Sequence, residues 1–200
     1  MNVTLTLEQR VRDALRPIKD YPKPGILFQD ITPVLGDPAL LRDVIAAMAE
    51  PFAASGVTHV VGIEARGFIL GGAVAAVLRA GFVPARKPGK LPWERVTEEY
   101  ALEYGTDALE CHRDGVGAAG RVLVVDDVLA TGGTAKAAGN LARKLGGEVV
   151  GMSFLLEIAF LKGRERLEGE RCHVLASVGW VIPSGARDRF ALERSRNSLS

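Results

Sequence analysis

The sequence has little of several features that would each define a class of protein. Its 200 residues include two cysteines, three histidines and 6% aromatic residues, and the formal net charge is +1. Cys111 and Cys172 are too few and too far apart for a zinc site or a disulfide framework, so a reduced, cytoplasmic setting is expected. A nearly neutral chain without a dominant basic block argues against general nucleic-acid binding.

Long hydrophobic runs are also missing. The most apolar stretch, Ile69 to Leu78, is short and flanked by Arg66 and Arg79, so no membrane span is expected. The three histidines, at 59, 112 and 173, do not have the spacing of metal ligands. We therefore expect them to be structural and expect no metal site built from protein ligands.

The most informative segment that is present runs from Val122 to Thr134 (VLVVDDVLATGGT). Its β-branched start, Val122 to Val125, is typical of a strand buried on both faces of a parallel sheet, and a helix is predicted from Ala135 to the Gly146-Gly147 stop. The turn between them therefore lies at the carboxyl end of a strand, where open α/β sheets bind ligands. Five residues of this turn form the predicted phosphate site, because unpaired helix amides, flexible glycines and hydroxyl donors meet there: Ala130, Thr131, Gly132, Gly133 and Thr134.

Two adjacent carboxylates precede that turn. When they are ionised, Asp126 and Asp127 only accept hydrogen bonds, which suits ribose hydroxyls or a hydrated Mg²⁺ better than a phosphate. Strand, acids and turn together predict a ligand that carries both a ribose and a phosphate.

Alternating strands and helices along the chain predict one α/β domain over residues 1–182, with a central, mostly parallel sheet flanked by helices. Residues 7–18 are predicted as a helix with a Thr6/Gln9 capping box, residues 21–33 as irregular, and Asp37-Pro38 as the start of a second helix. Further strands are expected at 59–63, 82–85, 121–126, 148–156 and 172–178, with a helix over 67–80. Residues 100–104 and 108–112 are predicted to pair around Gly105 as a mobile hairpin outside the core, and residues 183–200 as a loosely ordered tail.

One further motif resembles a nucleotide-binding sequence but lacks the structural context that such a sequence needs. Gly115 to Gly120 matches the pattern G-x-G-x-x-G of dinucleotide-binding proteins, but that motif needs a strand before it and a helix after it. Here a strand follows and no helix does, so the glycines predict a surface turn.

Several blocks, in a fixed order over about residues 8–180, resemble the type I phosphoribosyltransferases. The Val122–Thr134 segment is similar to the family's signature for phosphoribosyl pyrophosphate (PRPP), and its Ala130 is similar to the members that use adenine. The other blocks are FQDITP (28–33), EARGF (64–68), RKPGKLP (86–92), LEYG (102–105) and LKGRE (161–165).

The resemblance implies a transferase that joins adenine to PRPP, giving AMP and pyrophosphate in purine salvage, with Mg²⁺ bound to PRPP and few or no protein ligands to the metal. It implies a pyrophosphate site at Arg66, Arg86, Lys87 and Lys90, next to an unusual backbone turn at 64–66. A hood at about 20–34 would bind adenine through a stacked Phe28, the backbone of Leu27 and Gln29, and Ile158 on the other face. A lid at about 86–107 would carry Glu103, the proton-transfer residue, and a homodimer is expected in which a basic hairpin residue reaches the neighbouring site.

Two alternatives stay open. The same fold could serve hypoxanthine, guanine, xanthine or orotate, although the hood block at 28–30 argues against this. A PRPP-sensing regulator would keep the binding signature without chemistry, but we would then expect no intact lid and an added DNA-binding module, for which the chain has no room.

Overall fold

The computed structural model describes residues 5–101 and 105–179. Its centre is a five-stranded, all-parallel sheet in the order β4-β3-β7-β8-β9. These strands are β3 (His59–Ile63), β4 (Gly81–Ala85), β7 (Arg121–Leu129), β8 (Glu148–Ile158) and β9 (Cys172–Val178). This confirms the predicted α/β fold.

Helices and a hairpin cover both faces of the sheet. The helices are α1 (Leu7–Ala14), α2 (Thr32–Gly36), α3 (Pro38–Ala49), α4 (Arg66–Leu78) and α5 (Gly133–Lys144), and the hairpin pairs β5 (Arg95–Ala101) with β6 (Thr106–His112). Successive residues of a strand point to opposite faces, so Val60 packs in the cluster under α3 and α4 while Val61 packs in the one under α5. The sheet is therefore buried on both sides, which explains why its strands are continuous apolar runs.

The order of the strands places the functional site. The chain moves from β3 to β4 on one side and returns to place β7 on the other side of β3. The connection after β3 leads to one side of the sheet and the connection after β7 leads to the other. Two adjacent strands whose connections leave in opposite directions have a crevice at their carboxyl ends, where doubly wound sheets bind ligands. In this chain the crevice lies between the ends of β3 and β7.

The amino-terminal region differs from the prediction in two ways. The Thr6/Gln9 capping box is present, but the helix ends at Ala14 instead of residue 18. Residues 16–19 form strand β1 (Arg16–Lys19), which pairs antiparallel with β2 (Leu27–Asp30), so the region 21–33 is not wholly irregular. The helical spacing of apolar residues from Leu7 to Ile18 suggested one helix. The spacing in fact spans two elements, because Ile18 is a partly exposed residue of strand β1.

The hairpin also differs from the prediction. The antiparallel hairpin is confirmed, but its strands pair residues 95–101 with 106–112, and residues 102–104 of the predicted first strand lie outside the described residues. The hairpin is also not outside the core. Leu109 and Cys111 are fully buried in the cluster beneath α5. The physical reason is that α5 does not cover the β4 side of this face of the sheet, and β6 covers it instead. Reciprocal backbone hydrogen bonds between Arg86 and Glu110 join β6 to the end of β4.

Three smaller predictions can be settled. The glycine-rich segment 115–120 is a turn before β7, as expected. Helix α4 ends at Leu78 with Arg79 in the left-handed conformation, φ 56°, earlier than the predicted stop at Gly81. No helix among the described residues is long and apolar enough to cross a membrane. The predicted tail lies outside the described residues.

Candidate active site

A cavity of about 400 Å³ occupies the crevice between the ends of β3 and β7. This volume is within the range of pockets for small molecules, roughly 300–1,000 Å³. Its walls come from four parts of the chain: the hood strand β2, the ends of β3 and β7 with the turns that follow them, the loop after β4, and the end of β8. The lining residues are Ile26, Leu27, Phe28, Gln29, Ile63, Glu64, Ala65, Arg66, Lys87, Asp126, Asp127, Val128, Ala130, Thr134 and Ile158.

The turn after β7 forms a second, smaller pocket of about 70 Å³ that shares Asp126, Ala130 and Thr134 with the first. Gly132, the N-cap residue just before α5, is in the left-handed conformation, φ 79°, which an L side chain rarely adopts. The first amides of α5 have no partners within the helix and give the turn a partial positive charge. The turn can therefore hold an oxyanion such as a phosphate.

The turn is held from behind by the segment after β8. A Cβ on Gly132 would lie 2.4 Å from the Gly163 carbonyl oxygen, and a Cβ on Gly163 would lie 2.3 Å from that of Ala130. The two backbones therefore touch directly, and a side chain at either position would push the turn out of place.

Both predicted ribose-binding acids belong to this site, but their environments differ. The Asp127 carboxylate is almost fully buried and accepts a hydrogen bond from the Arg66 side chain. Asp126 accepts from the Asp127 amide at 2.8 Å. Desolvation and the neighbouring Asp127 charge raise the pKa of Asp126 well above its ordinary value. The charge of Asp127 is therefore balanced by Arg66, whereas a negative charge on Asp126 has little compensation.

Glu64 organises the basic side of the pocket. It follows β3 directly, and the peptide bond from Glu64 to Ala65 is cis, at the turn where an unusual backbone was expected. Its carboxylate accepts from the Lys90 ammonium, from Arg86 Nε at 3.3 Å and from the Lys87 amide at 3.0 Å. Desolvation alone would raise the pKa of Glu64, but these hydrogen bonds and charges outweigh it and lower the pKa.

Lys87 extends instead towards the hairpin. Its ammonium contacts the Asp107 carboxylate and the Tyr100 hydroxyl, the latter at 2.9 Å. The Tyr100 hydroxyl also lies 3.0 Å from Asp107 Oδ2 and 3.3 Å from Thr134 Oγ1. Desolvation opposes the charged form, yet the Asp107 and Tyr100 contacts prevail and raise the pKa of Lys87. The hairpin is thus linked to both the basic loop and the phosphate turn.

The hood closes the pocket on its remaining side. Leu27, Phe28 and Gln29 all line the cavity, and Ile158 lines it from the end of β8. The Phe28 ring lies edge-on to Tyr21, with centroids 5.2 Å apart, and the Arg66 guanidinium carbon lies 5.5 Å from its centroid. Phe28 is therefore a half-buried pocket residue and not part of the central core.

The structure brings most of the predicted site residues into one place. Arg86 and Lys90 do not line the cavity but flank it through Glu64, and Gly133 starts α5 behind the turn. Thr131 and Gly132 line the smaller pocket. Glu103 lies outside the described residues, so its assignment stays a prediction.

Comparison with known proteins agrees with this geometry. Residues 32–173 match the model of the phosphoribosyl transferase domain. An adenine phosphoribosyltransferase of Myxococcus xanthus is 58% identical over 170 residues, which cover 85% of this chain and 92% of that protein. The chain belongs to the phosphoribosyltransferase family, among its adenine phosphoribosyltransferases.

Solved structures of the family show the same fold. The adenine phosphoribosyltransferase of Rhodothermus marinus superposes with a TM-score of 0.83 at 52% identity, covering 86% of this chain and 98% of that one. The enzyme of Saccharomyces cerevisiae, solved in complex with an imino-altritol bisphosphate and adenine, gives 0.79 at 38% identity and covers 84% and 98%. The described sheet, hood and hairpin are therefore those of a phosphoribosyltransferase.

Three residues of this phosphoribosyltransferase site were not predicted from the sequence. Glu64 could have been found, because it directly follows a buried strand and precedes Arg66. Tyr100 and Asp107 gave no such signal: they look like ordinary hairpin residues until the β5–β6 register places them opposite each other beside Lys87.

Proposed function

We propose that this chain transfers the phosphoribosyl group of PRPP to adenine, giving AMP and pyrophosphate. One observation carries the proposal: a single cavity is lined by residues of the glycine turn after β7, by two adjacent acids, by basic side chains and by a hood with an aromatic ring. In the reaction the bond between adenine N9 and C1′ forms, the bond between C1′ and the pyrophosphate oxygen breaks with its electrons leaving on pyrophosphate, and adenine loses one proton. Family membership supports the same activity.

PRPP would lie across the cavity from the turn after β7 to the basic loop. The 5′-phosphate is assigned to residues 130–134, because helix amides and the hydroxyls of Thr131 and Thr134 converge there. Asp126 and Asp127 would accept from the ribose hydroxyls. Pyrophosphate is assigned to the cationic side, with Arg66 and Lys87 lining the cavity and Arg86 and Lys90 behind them.

Adenine would lie between the hood and the end of β8. Phe28 supplies a ring for stacking, Ile158 an apolar surface, and Leu27 and Gln29 backbone groups for the edge of the base. Stacking of a base on an aromatic side chain is worth about 1–3 kcal/mol. This arrangement explains how adenine could be selected without a dedicated polar side chain.

Glu103 is proposed to take the proton that adenine loses. Support comes from Tyr100, three residues earlier in the sequence, whose hydroxyl lies 3.3 Å from Thr134 in the cavity wall. A correctly placed acid–base group contributes about 10²–10⁴ in rate. Closure of the lid at about 86–107 over the cavity would exclude water and so limit hydrolysis of PRPP.

Mg²⁺ is proposed to enter as part of the substrate, bound to PRPP oxygens. The described residues contain no group of three or more His, Cys, Asp or Glu side chains arranged to hold a metal ion, and Asp127 is already paired with Arg66. Asp126 is the carboxylate best placed to face a cation carried by PRPP. When bound, Mg²⁺ would neutralise charge on the pyrophosphate group.

A homodimer is proposed on the basis of helix α4. Between Arg66 and Arg79 this helix has no charged residue, and its Ile69 and Val77 are 51% and 56% exposed. Phe82, whose ring packs edge-on against Phe68 of the same helix, is 38% exposed. A helix that is apolar all round is normally buried, and a second copy of the chain would bury it. A hairpin cation reaching the neighbouring site is part of this proposal.

We further propose a cytoplasmic protein with one domain over residues 1–182. The cysteines support the setting, because Cys111 and Cys172 are both free thiols. The shared five-stranded sheet supports the domain, because the two cores on its faces draw on residues from Val11 to Ala176.

The test is an assay of the purified protein with radiolabelled adenine, PRPP and Mg²⁺, measuring AMP. We expect AMP and pyrophosphate in equal amounts, and much lower kcat/KM for hypoxanthine, guanine, xanthine and orotate. AMP at background levels would refute the proposal. Preference for another base would support a phosphoribosyltransferase with a different base specificity. PRPP binding without turnover of any base would favour a PRPP-sensing regulator.

A further inference from the structure

Among the described residues, one pair of hairpin side chains contacts both of the regions assigned to the anionic ends of PRPP. Tyr100 and Asp107 face each other across the β5–β6 register. Both contact the ammonium of Lys87, and Tyr100 also reaches Thr134 at 3.3 Å. The pair therefore lies between the basic loop and the phosphate turn.

The contacts of this pair restrict where Lys87 can point. An ammonium has three hydrogen-bond donors, and the Asp107 carboxylate and Tyr100 hydroxyl occupy two of them. Lys87 lines the cavity, so the third donor is left for a group bound there. Fixing a flexible lysine side chain costs rotamer entropy, and these two contacts fix Lys87 before a ligand arrives.

Asp107 is itself held in place. Its Oδ1 accepts from the Ala108 amide at 2.8 Å, while its Oδ2 accepts from Tyr100 at 3.0 Å. The side chain of Asp107 remains 30% exposed, so it is not needed to fill the core. An acid with three hydrogen-bonding partners and little packing role is placed for its charge.

We propose that Asp107, together with Tyr100, is a positioning residue that holds the Lys87 ammonium ready for the pyrophosphate group of PRPP. The inference rests on the proposed function in its choice of ligand. Asp107 acts through Lys87 and does not contact PRPP. A carboxylate so near the substrate would by itself repel a polyanion, so the proposal requires that the ordering of Lys87 outweighs this repulsion.

Asp107→Asn is the first test, because it keeps the shape and removes the charge. Titration calorimetry with PRPP and Mg²⁺ should show the Kd raised about tenfold, since a charge-assisted hydrogen bond is roughly twice as strong as a neutral one. The KM for adenine should stay unchanged. Glu98→Gln is the matched control: it removes a hairpin carboxylate that pairs with Lys144 and Asn140 on α5, without contact to Lys87, and its PRPP affinity should equal that of the wild type.

A double-mutant cycle separates positioning from a structural effect. Lys87→Met should weaken PRPP binding more than Asp107→Asn, and adding Asp107→Asn to Lys87→Met should weaken it no further. Equal effects of Asp107→Asn in both backgrounds, or tighter PRPP binding by Asp107→Asn alone, would overturn the inference. Because binding is measured without adenine, a wild type that binds PRPP and forms no AMP would refute the proposed function and leave this test intact.

Discussion

The close approach of Gly163 to the phosphate turn gives a sharp prediction for Gly163→Ala. The new Cβ would lie 2.3 Å from the Ala130 carbonyl oxygen and 3.0 Å from Leu129 Cδ1. Ordinary contact begins near 3.4 Å, so the turn and the 163 segment must separate by about 1 Å, a misplacement that can cost roughly 10²-fold in rate. Overpacking of this kind costs about 1–3 kcal/mol in stability.

The assay for Gly163→Ala is kcat/KM for PRPP together with the melting temperature. We expect kcat/KM to fall by about 10²-fold and the melting temperature by about 2–10 °C for a chain of this size. Gly117→Ala is the matched control, because a Cβ there meets nothing within 4 Å, and it should behave as the wild type. A Gly163→Ala protein with unchanged kcat/KM and unchanged melting temperature would refute the argument.

Three further predictions concern the chemistry, the base and the charge of the site. Glu103→Gln should lower turnover by about 10²–10⁴ and leave the Kd of PRPP unchanged, so normal turnover would remove the proton-transfer role. Phe28→Ala should raise the KM for adenine about tenfold or more through lost stacking without changing PRPP binding measured in the absence of adenine; an unaltered adenine KM would place the base elsewhere. Asp126→Asn should weaken PRPP binding yet raise the melting temperature at pH 8, because the raised pKa of Asp126 means that folding disfavours its ionised form. That gain should shrink as the pH falls through the folded pKa, where the wild-type carboxyl is also protonated; a lower melting temperature at pH 8 would contradict it.

The sheet was predictable because its signals are local. Buried parallel strands are continuous apolar runs, and caps such as Thr6/Gln9 mark where helices begin. The strand β1 was missed because Ile18 falls in helical register with Leu7, Val11 and Leu15. Its true partner is Phe28, ten residues further on, and no local pattern reports such pairing.

The site was predictable where function depends on sequence order. Asp126 lies in the carboxyl-terminal half of β7, and the glycine turn and Arg66 come soon after the ends of β7 and β3, so the strand order alone brings them together. The role of Asp107 could not be predicted in this way, because it depends on the register of the β5–β6 hairpin and on the direction of a flexible lysine. The burial of the hairpin depended on a further unknown, the part of the sheet that α5 leaves uncovered.

The four cations predicted to bind pyrophosphate already have partners within the chain. Arg66 pairs with Asp127, Lys87 with Asp107, and Arg86 and Lys90 with Glu64. We therefore expect PRPP to take over Arg66, Arg86 and Lys90 by an exchange of anionic partners, whereas Lys87 keeps Asp107 and offers PRPP its third donor. We expect the proposed closure of the lid to supply much of the PRPP affinity, because closure would remove water and strengthen the remaining contacts. The hairpin that carries Tyr100 and Asp107 is therefore expected to affect PRPP affinity in addition to the four cations.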